Sequence, residues 1–451
     1  MDIVEIVRDQ NRWWANPNRR ETRRFSQRRE VFDRLLSYLG ELHGGRAAVL
    51  LGPRQVGKTT LLLQLVDELL DRDWPAANIT FFDFSDERLV GQVSPRQIVE
   101  LAPPGLADTH PRVYLLDEIQ NALDWQPWLK SAVDQARRGS QPGVRFVVTG
   151  SAATALRRAG AESGQGRWDE IPIEGLTLAE FLRISSPGDP EPTSRIRDPR
   201  MYARYLEVGG FPEHLSSLAS ANEVRHRIRA DIADRAIVRD LLHTGLDVER
   251  LRRLFVYLIC GSGNLWNQGK RAEDLDANRK SLSEWLSALE ETRLIMPLPR
   301  DLPAGSKAST QLRAQPKIFA SDHGLITAFA PAVEPLEAPE VRGRVFEAAV
   351  FRHLREVARS SGATWSYSRI DEDLEIDFVV RGPSRSVGIE VTGSTDAKPR
   401  KLARAAEAMK RLGIEKKILV HGGLDSGLAG DIALAPLHEF LLAPQRFLGA
   451  L

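Results

Sequence analysis

Gly52-Pro53-Arg54-Gln55-Val56-Gly57-Lys58-Thr59 is the stretch on which the reading of this chain turns. It fits G-x-x-x-x-G-K-[ST], the phosphate-binding P-loop, and its flanks agree. Ala47-Ala48-Val49-Leu50-Leu51 reads as a short buried strand running into the loop, and Thr60 through Val66 as a helix leaving it. Each part has a physical task. Gly52 and Gly57 let the backbone turn tightly and approach an anion. The amides of the Gly52–Thr60 loop (with Pro53, Arg54, Gln55 and Val56 between the glycines) and the positive end of the next helix then meet phosphate oxygens. Lys58 is expected to reach the β- and γ-phosphates, and Thr59 to offer its hydroxyl to Mg²⁺.

Working outward, two further strands are expected before the partner site. Ile79–Phe84 is apolar, and Val113-Tyr114-Leu115-Leu116 ends in Asp117-Glu118. A carboxylate pair closing a strand downstream of a P-loop is what nucleotide chemistry requires. Asp117 is expected to hold the metal, and Glu118 to orient and activate water. Val144–Ser151 reads as a fourth strand, with Thr149 at the edge where parallel sheets present ligand-facing groups. Thr149 can sense the γ-phosphate, hold the attacking water, or cap the helix that follows. Asp124 is placed to cap a helix carrying Trp125, Trp128, Leu129, Ala132 and Val133, whose spacing marks a core face.

Composition sets bounds. The 451 residues hold two to four domains, and 42% hydrophobic with 27% charged residues is ordinary for a soluble globular chain. Sixty-two basic against 61 acidic side chains give no global field for nucleic acid. The single cysteine, Cys260, excludes an intrachain disulfide and sits in an apolar run. No membrane span or signal peptide is read, so a cytoplasmic location is expected. Near the N-terminus, Arg19, Arg20, Arg23, Arg24, Arg28 and Arg29 form either a phosphate-contacting arm or a solvated helix face.

At these residues the chain resembles a known family. Gly52–Thr60, Leu116-Asp117-Glu118-Ile119-Gln120 and Thr149-Gly150-Ser151 are similar to the AAA-type P-loop ATPases of bacteria and archaea, in the branch with an uncharacterised C-terminal region. The likeness continues in Ile173–Phe181, Gly209-Gly210-Phe211-Pro212-Glu213 and Lys317–Leu325. It implies an α/β parallel sheet with a helical lid, and ATP with Mg²⁺ as ligands. It also implies that Arg167, after Gly164-Gln165-Gly166, acts as a sensor or finger toward the γ-phosphate. A surface arginine on a loop is the alternative.

The expected domains are an arm and helix at 1–44, the P-loop core at 45–185, a helical lid at 200–245, a winged helix at 246–300 and a restriction-endonuclease-like α/β domain at 315–451. A breaker-rich linker at 186–200 and a polar linker at 300–315 separate them. Arg279 and Lys280 fall where a recognition helix would begin, open to duplex DNA or to a protein client. In the last domain, Glu347, Asp377 and Glu390 resemble a nuclease-like acidic cluster. Thr392 stands where the activating lysine belongs, which makes the domain a degenerate one, although Lys398 and Lys401 are near in sequence. Three functions compete: an ATPase that rearranges its C-terminal domains, an ATP-dependent nuclease, and a nucleotide-gated DNA-binding regulator of defence or toxin–antitoxin type. A homo-oligomer is compatible with each.

Overall fold

β1 (Ala47–Leu51) is buried along its whole length, and a strand without a polar face belongs inside a sheet covered on both sides. The computed structural model describes residues 3–22, 27–40, 45–86, 89–104, 110–138, 143–150, 166–185, 199–215, 219–241, 245–275, 277–302, 314–370, 374–395 and 399–449. In it β1 lies between β4 (Val144–Gly150) and β5 (Trp168–Pro172), with β3 (Arg112–Asp117) and β2 (Ile79–Asp83) beyond β4. All these pairings are parallel, so the C-terminal ends of the strands share one edge. The P-loop leaves β1 there and enters α3 (Lys58–Asp71). Gly57 has φ 90°, a left-handed value that favours glycine. Gly52 answers a packing demand, since a Cβ there would lie 2.0 Å from the Ile173 carbonyl oxygen.

β2 is an edge strand, and its outward backbone groups are answered by the chain's beginning. Asn11 exchanges two hydrogen bonds with the Phe81 backbone, at 2.7 and 2.8 Å. The indole N–H groups of Trp13 and Trp14 both donate to the Ile79 carbonyl. This covers an edge that would otherwise invite another strand. Farther along, Thr22 Oγ1 donates to Asp67 of α3 at 2.5 Å. Four of the six N-terminal arginines are then held within this unit. Arg19 pairs with Glu21, Arg20 with Asp71 and Arg28 with Glu68, while Arg29 donates to the carbonyls of Val56 and Glu174. Arg23 and Arg24 lie outside the described residues. α5 (Trp125–Arg137) buries Trp125, Leu129 and Val133 as expected. Asp124 does not cap it through its side chain. Its backbone is left-handed (φ 50°), whereas capping needs an extended residue to bring the carboxylate over the first amides.

The chain divides into two compact units, residues 1–174 and 175–451. The second unit is organised around a glycine-lined hub. Asp322 accepts from the amides of Gly210 (3.0 Å) and Gly324 (2.8 Å). A Cβ on Gly209 would stand 2.0 Å from Asp322 Oδ1, and one on Gly175 would stand 2.2 Å from Oδ2. Arg352, 1% exposed, donates twice to the Gly175 carbonyl. His353 Nδ1 donates to the Ala349 carbonyl, and its Nε2 accepts from the Leu178 amide, which makes the ring neutral. Burial, reinforced by Arg352, pushes its pKa down to about 3. The motifs at 173–181, 209–213 and 317–325 therefore converge on one packing centre.

Helices Pro199–Val208 and Ala221–Arg227 occupy the stretch expected to be helical, and the chain continues as π-helix over Ile228–Asp234 and Ala236–Asp240. Next come a helix at Val248–Cys260, β6 (Asn264–Leu265), helices Gln268–Asp274 and Arg279–Glu291, and β7 (Ile295–Leu298). β8 (Lys317–Ala320) was expected to open the last domain. Instead it pairs antiparallel with both β7 and β6. All four of its residues are buried, and such a strand needs partners on both sides.

The last sheet has the order β13-β14-β12-β11-β10-β9: β9 (Thr364–Arg369), β10 (Glu375–Arg381), β11 (Ser386–Thr392), β12 (Lys416–His421), β13 (Gly427–Ala429) and β14 (Ile432–Pro436). β11, β12 and β14 run parallel, and the other pairings are antiparallel. Helices Pro339–Ser361 and Pro399–Arg411 accompany it. Among the described residues no helix is long and apolar enough to cross a membrane.

Candidate phosphate-binding and water-activating site

The shared strand edge gathers the expected residues. Lys58 is 5% exposed, and its ammonium donates to the carbonyls of Gly52 (3.0 Å) and Pro53 (2.9 Å). It also lies 3.7 Å from Glu118 Oε1. Thr59 Oγ1 donates to Asp117 Oδ2 at 2.5 Å. The other Asp117 oxygen accepts from Thr149 Oγ1, which in turn accepts from the Glu118 amide at 3.0 Å. One chain of contacts thus links Thr59, Asp117, Thr149 and Glu118. Thr149 is fully buried and its hydroxyl is spent on the two acidic residues. The helix it was offered to as a cap, and Ser151, lie outside the described residues.

Asp117 is 1% exposed. Burial, then the charges of Glu118 and Asp83, push its carboxyl up to about 7. Such a carboxylate is held beside like charges with hydroxyls as its main partners, and it gains from a cation. Its all-oxygen surroundings suit Mg²⁺, which takes one or two carboxylates and leaves its remaining positions to phosphates and water. Asp83 was not singled out from sequence. It pairs in register with Asp117 across β2 and β3, and burial raises its pKa. Its place at the end of an apolar strand is the signal that marks it.

The P-loop's other members lie beside Lys58 and Thr59 in the same turn. Val56 is buried with its carbonyl held by Arg29, Gln55 adopts φ 62°, and Thr60 follows Thr59 in the first turn of α3. Arg54 is half-buried in the same loop.

Arg167 is not brought to this edge. β5 runs parallel to β1 with Trp168 opposite Ala47 and Pro172 opposite Leu51, so Arg167 precedes the strand at its other end. Five residues of strand, ~16 Å, separate it from its own P-loop. There its Nε donates to both Asp134 oxygens, at 3.0 and 3.1 Å. Gly164 and Gln165 lie outside the described residues.

In the second unit, Glu347, Asp377 and Glu390 do come together, and lysines accompany them. Lys401 Nζ lies 3.4 Å from Glu390 Oε1 and donates to the Val391 carbonyl at 2.5 Å. Lys317, 3% exposed, contacts Glu375 and lies 3.5 Å from Asp377 Oδ1. Burial alone would lower the Lys317 pKa, but Asp377 and Glu375 raise it above its ordinary value. Desolvation, with Asp377 next, pushes Glu347 and Glu390 each up to about 8. Lys401 on a helix and Lys317 on β8 thus lie beside this cluster. Lys398 lies outside the described residues. Among the described residues no group of three or more His, Cys, Asp or Glu side chains has the arrangement of a metal site.

A parallel five-stranded sheet with this loop and this Asp-Glu pair is a P-loop NTPase fold. Residues 44–182 match the family described as an AAA domain. Residues 199–335 and 342–440 match two domains of unknown function, DUF8612 and DUF4143.

An uncharacterised protein of Haemophilus influenzae is 27% identical over 61% of this chain and 67% of its own length. One of Mycobacterium tuberculosis is 27% identical over 78% of this chain and 71% of its own. Among solved structures, the Walker-type ATPase PABY2304 of Pyrococcus abyssi is 17% identical, covering 69% of this chain and 98% of that one with a TM-score of 0.41. The ORC2 protein of Aeropyrum pernix is 15% identical, covering 77% and 98%, with a TM-score of 0.38. Neither structure assigns a role to any residue here.

Proposed function

We propose that this protein hydrolyses ATP in a Mg²⁺-dependent reaction by in-line attack of water, and that its nucleotide state rearranges the C-terminal unit. The observation that carries the reading is the contact chain Thr59–Asp117–Thr149–Glu118 beside the P-loop lysine. Lys58 and the loop amides bind the phosphates, Lys58 exchanging the Gly52 and Pro53 carbonyls for phosphoryl oxygens. Thr59 and Asp117 would hold magnesium, which supplies neutralisation of phosphate charge when bound. Glu118 orients the water and accepts its proton. The position of Arg167 at the far end of β5 favours action on a neighbouring copy's nucleotide over its own, which would require an oligomer.

The client is read from the three-stranded element. A helix, a short strand, two helices and two further strands with sheet order β6-β8-β7 support the winged-helix reading. Arg279 and Lys280 are exposed at the start of its third helix. This supports duplex DNA as a partner more than the N-terminal arm does, whose described arginines are engaged internally. Lys317 and Lys401 compensate the acidic cluster, which favours a structural part for that domain over cutting of nucleic acid.

The test is steady-state ATP hydrolysis with Mg²⁺, alone and with duplex DNA. Lys58→Ala is expected to lose ATP binding. Turnover no higher than that of Glu118→Gln, despite tight ATP binding, would replace the hydrolysis reading with a nucleotide-gated switch.

A further inference from the structure

Glu118 does not stand alone at the end of β3. It adopts a left-handed backbone, φ 48° and ψ 46°, and the chain then turns through a single 3₁₀ turn, Ile119–Asn121. That turn is anchored from outside: the Gly91 amide donates to the Asn121 carbonyl, and the Leu123 amide to the Val93 carbonyl. The turn carries Gln120 back over the strand end, where its Nε2 donates to Glu118 Oε2. Glu118 Oε1 faces Lys58 instead, at 3.7 Å. The two carboxylate oxygens therefore have different partners: one faces the phosphate-binding lysine, the other a neutral amide fixed to the scaffold.

The amide is itself seated. Gln120 Oε1 lies against Gly150 at the end of β4, where an added Cβ would come within 3.1 Å of it. Gly150 directly follows Thr149, whose hydroxyl accepts the Glu118 amide. The end of β4 thus supports Glu118 twice, through its backbone by Thr149 and through its side chain by way of Gln120.

We infer that Gln120 is the positioning residue for the water-activating carboxylate, resting on the hydrolysis reading of the same site. When phosphate draws Lys58 from Glu118 Oε1, the Gln120 amide still holds Oε2. The freed oxygen then keeps a fixed direction toward the water. Without the amide, Glu118 Oε2 loses the bond that fixes its direction on an αL residue. A general base acts only within hydrogen-bond reach of the proton it takes. Gln120 bonds Glu118 and is not among the residues proposed above to hold phosphate or metal, so its loss falls on turnover and spares binding.

The experiment compares full-length wild type with Gln120→Ala, Gln120→Glu and Gly150→Ala. It reads kcat and KM for ATP, and separately the Kd of a fluorescent ATP analogue. A hydrogen bond to a charged group corresponds to roughly ten- to a hundredfold, so Gln120→Ala is expected to lower kcat about tenfold or more with Kd unchanged. Gln120→Glu is nearly isosteric but removes the donor and sets a second carboxylate beside Glu118. It is expected to lower kcat at least as far. If Gln120 only filled space, Gln120→Glu would keep wild-type kcat, and that result overturns the inference. Gly150→Ala is expected to lower kcat in the same sense by displacing the amide. Wild-type turnover with an unaltered Gln120→Ala variant overturns the role of Gln120 alone. Absence of turnover in wild type, with the analogue bound, overturns the hydrolysis reading and this role with it.

Discussion

The molecule holds two clusters of desolvated carboxylates, each beside a buried lysine, and they differ in what satisfies them. At the P-loop, Asp117 leans on two hydroxyls, and Lys58 is occupied mainly with loop carbonyls that a phosphate can replace. In the C-terminal sheet, Lys317 contacts Glu375 and Asp377, and Lys401 faces Glu390 while bonding the Val391 carbonyl. In the first cluster the lysine is held by carbonyls that a ligand can replace. In the second, two lysines of the chain already lie against the carboxylates, although burial still keeps Glu347 and Glu390 raised to about 8. Gathered carboxylates do not define a site; what their cations are bonded to does.

The largest expected effect breaks the comparison at its centre. Glu118→Gln should slow hydrolysis by about 10²-fold or more while ATP stays bound, as loss of a general base does. Glu390→Gln, the equivalent change in the second cluster, should leave turnover unchanged. Steady-state kinetics on both variants decides, and equal losses would make the two clusters one functional system.

A second effect falls on stability. Lys317→Met keeps volume but strands the Asp377 carboxylate in low dielectric, and breaking a buried pair costs about 3–5 kcal/mol. Denaturant unfolding of the full chain should show that loss in the transition of the second unit. A change under 1 kcal/mol would mean the cluster is not charge-compensated as described.

A pH-dependent effect concerns His353 in the hub, packed near Arg352, His323 and Glu180. Its folded pKa is pushed down to about 3, against about 6.5 in the unfolded chain. Between those values only the unfolded state takes the proton. The His353 contribution is therefore complete above about pH 6.5 and falls by up to ~1.4 kcal/mol per pH unit below it. Comparing wild type with His353→Gln across pH isolates this slope from the glutamates, which titrate in the opposite sense. Parallel pH profiles for the two proteins would exclude it.

What the sequence determined by itself was local chemistry. A P-loop needs its glycines, lysine and threonine within eight consecutive residues, because one backbone turn must present them together. The Asp117-Glu118 pair is legible for the same reason, as are the apolar strands and the core spacing of Trp125, Leu129 and Val133. The tertiary structure decided which distant groups those residues meet. Asp83 is opposite Asp117 only because β2 and β3 pair in that register. Lys401 and Lys317 reach their carboxylates from a helix and a strand in different parts of the chain, which no interval counted from Thr392 discloses. Arg29 reads as part of a basic arm until its guanidinium is found on the Val56 carbonyl, 27 residues away. Motifs record what neighbouring backbone can hold, whereas charge compensation works through space and follows no sequence interval.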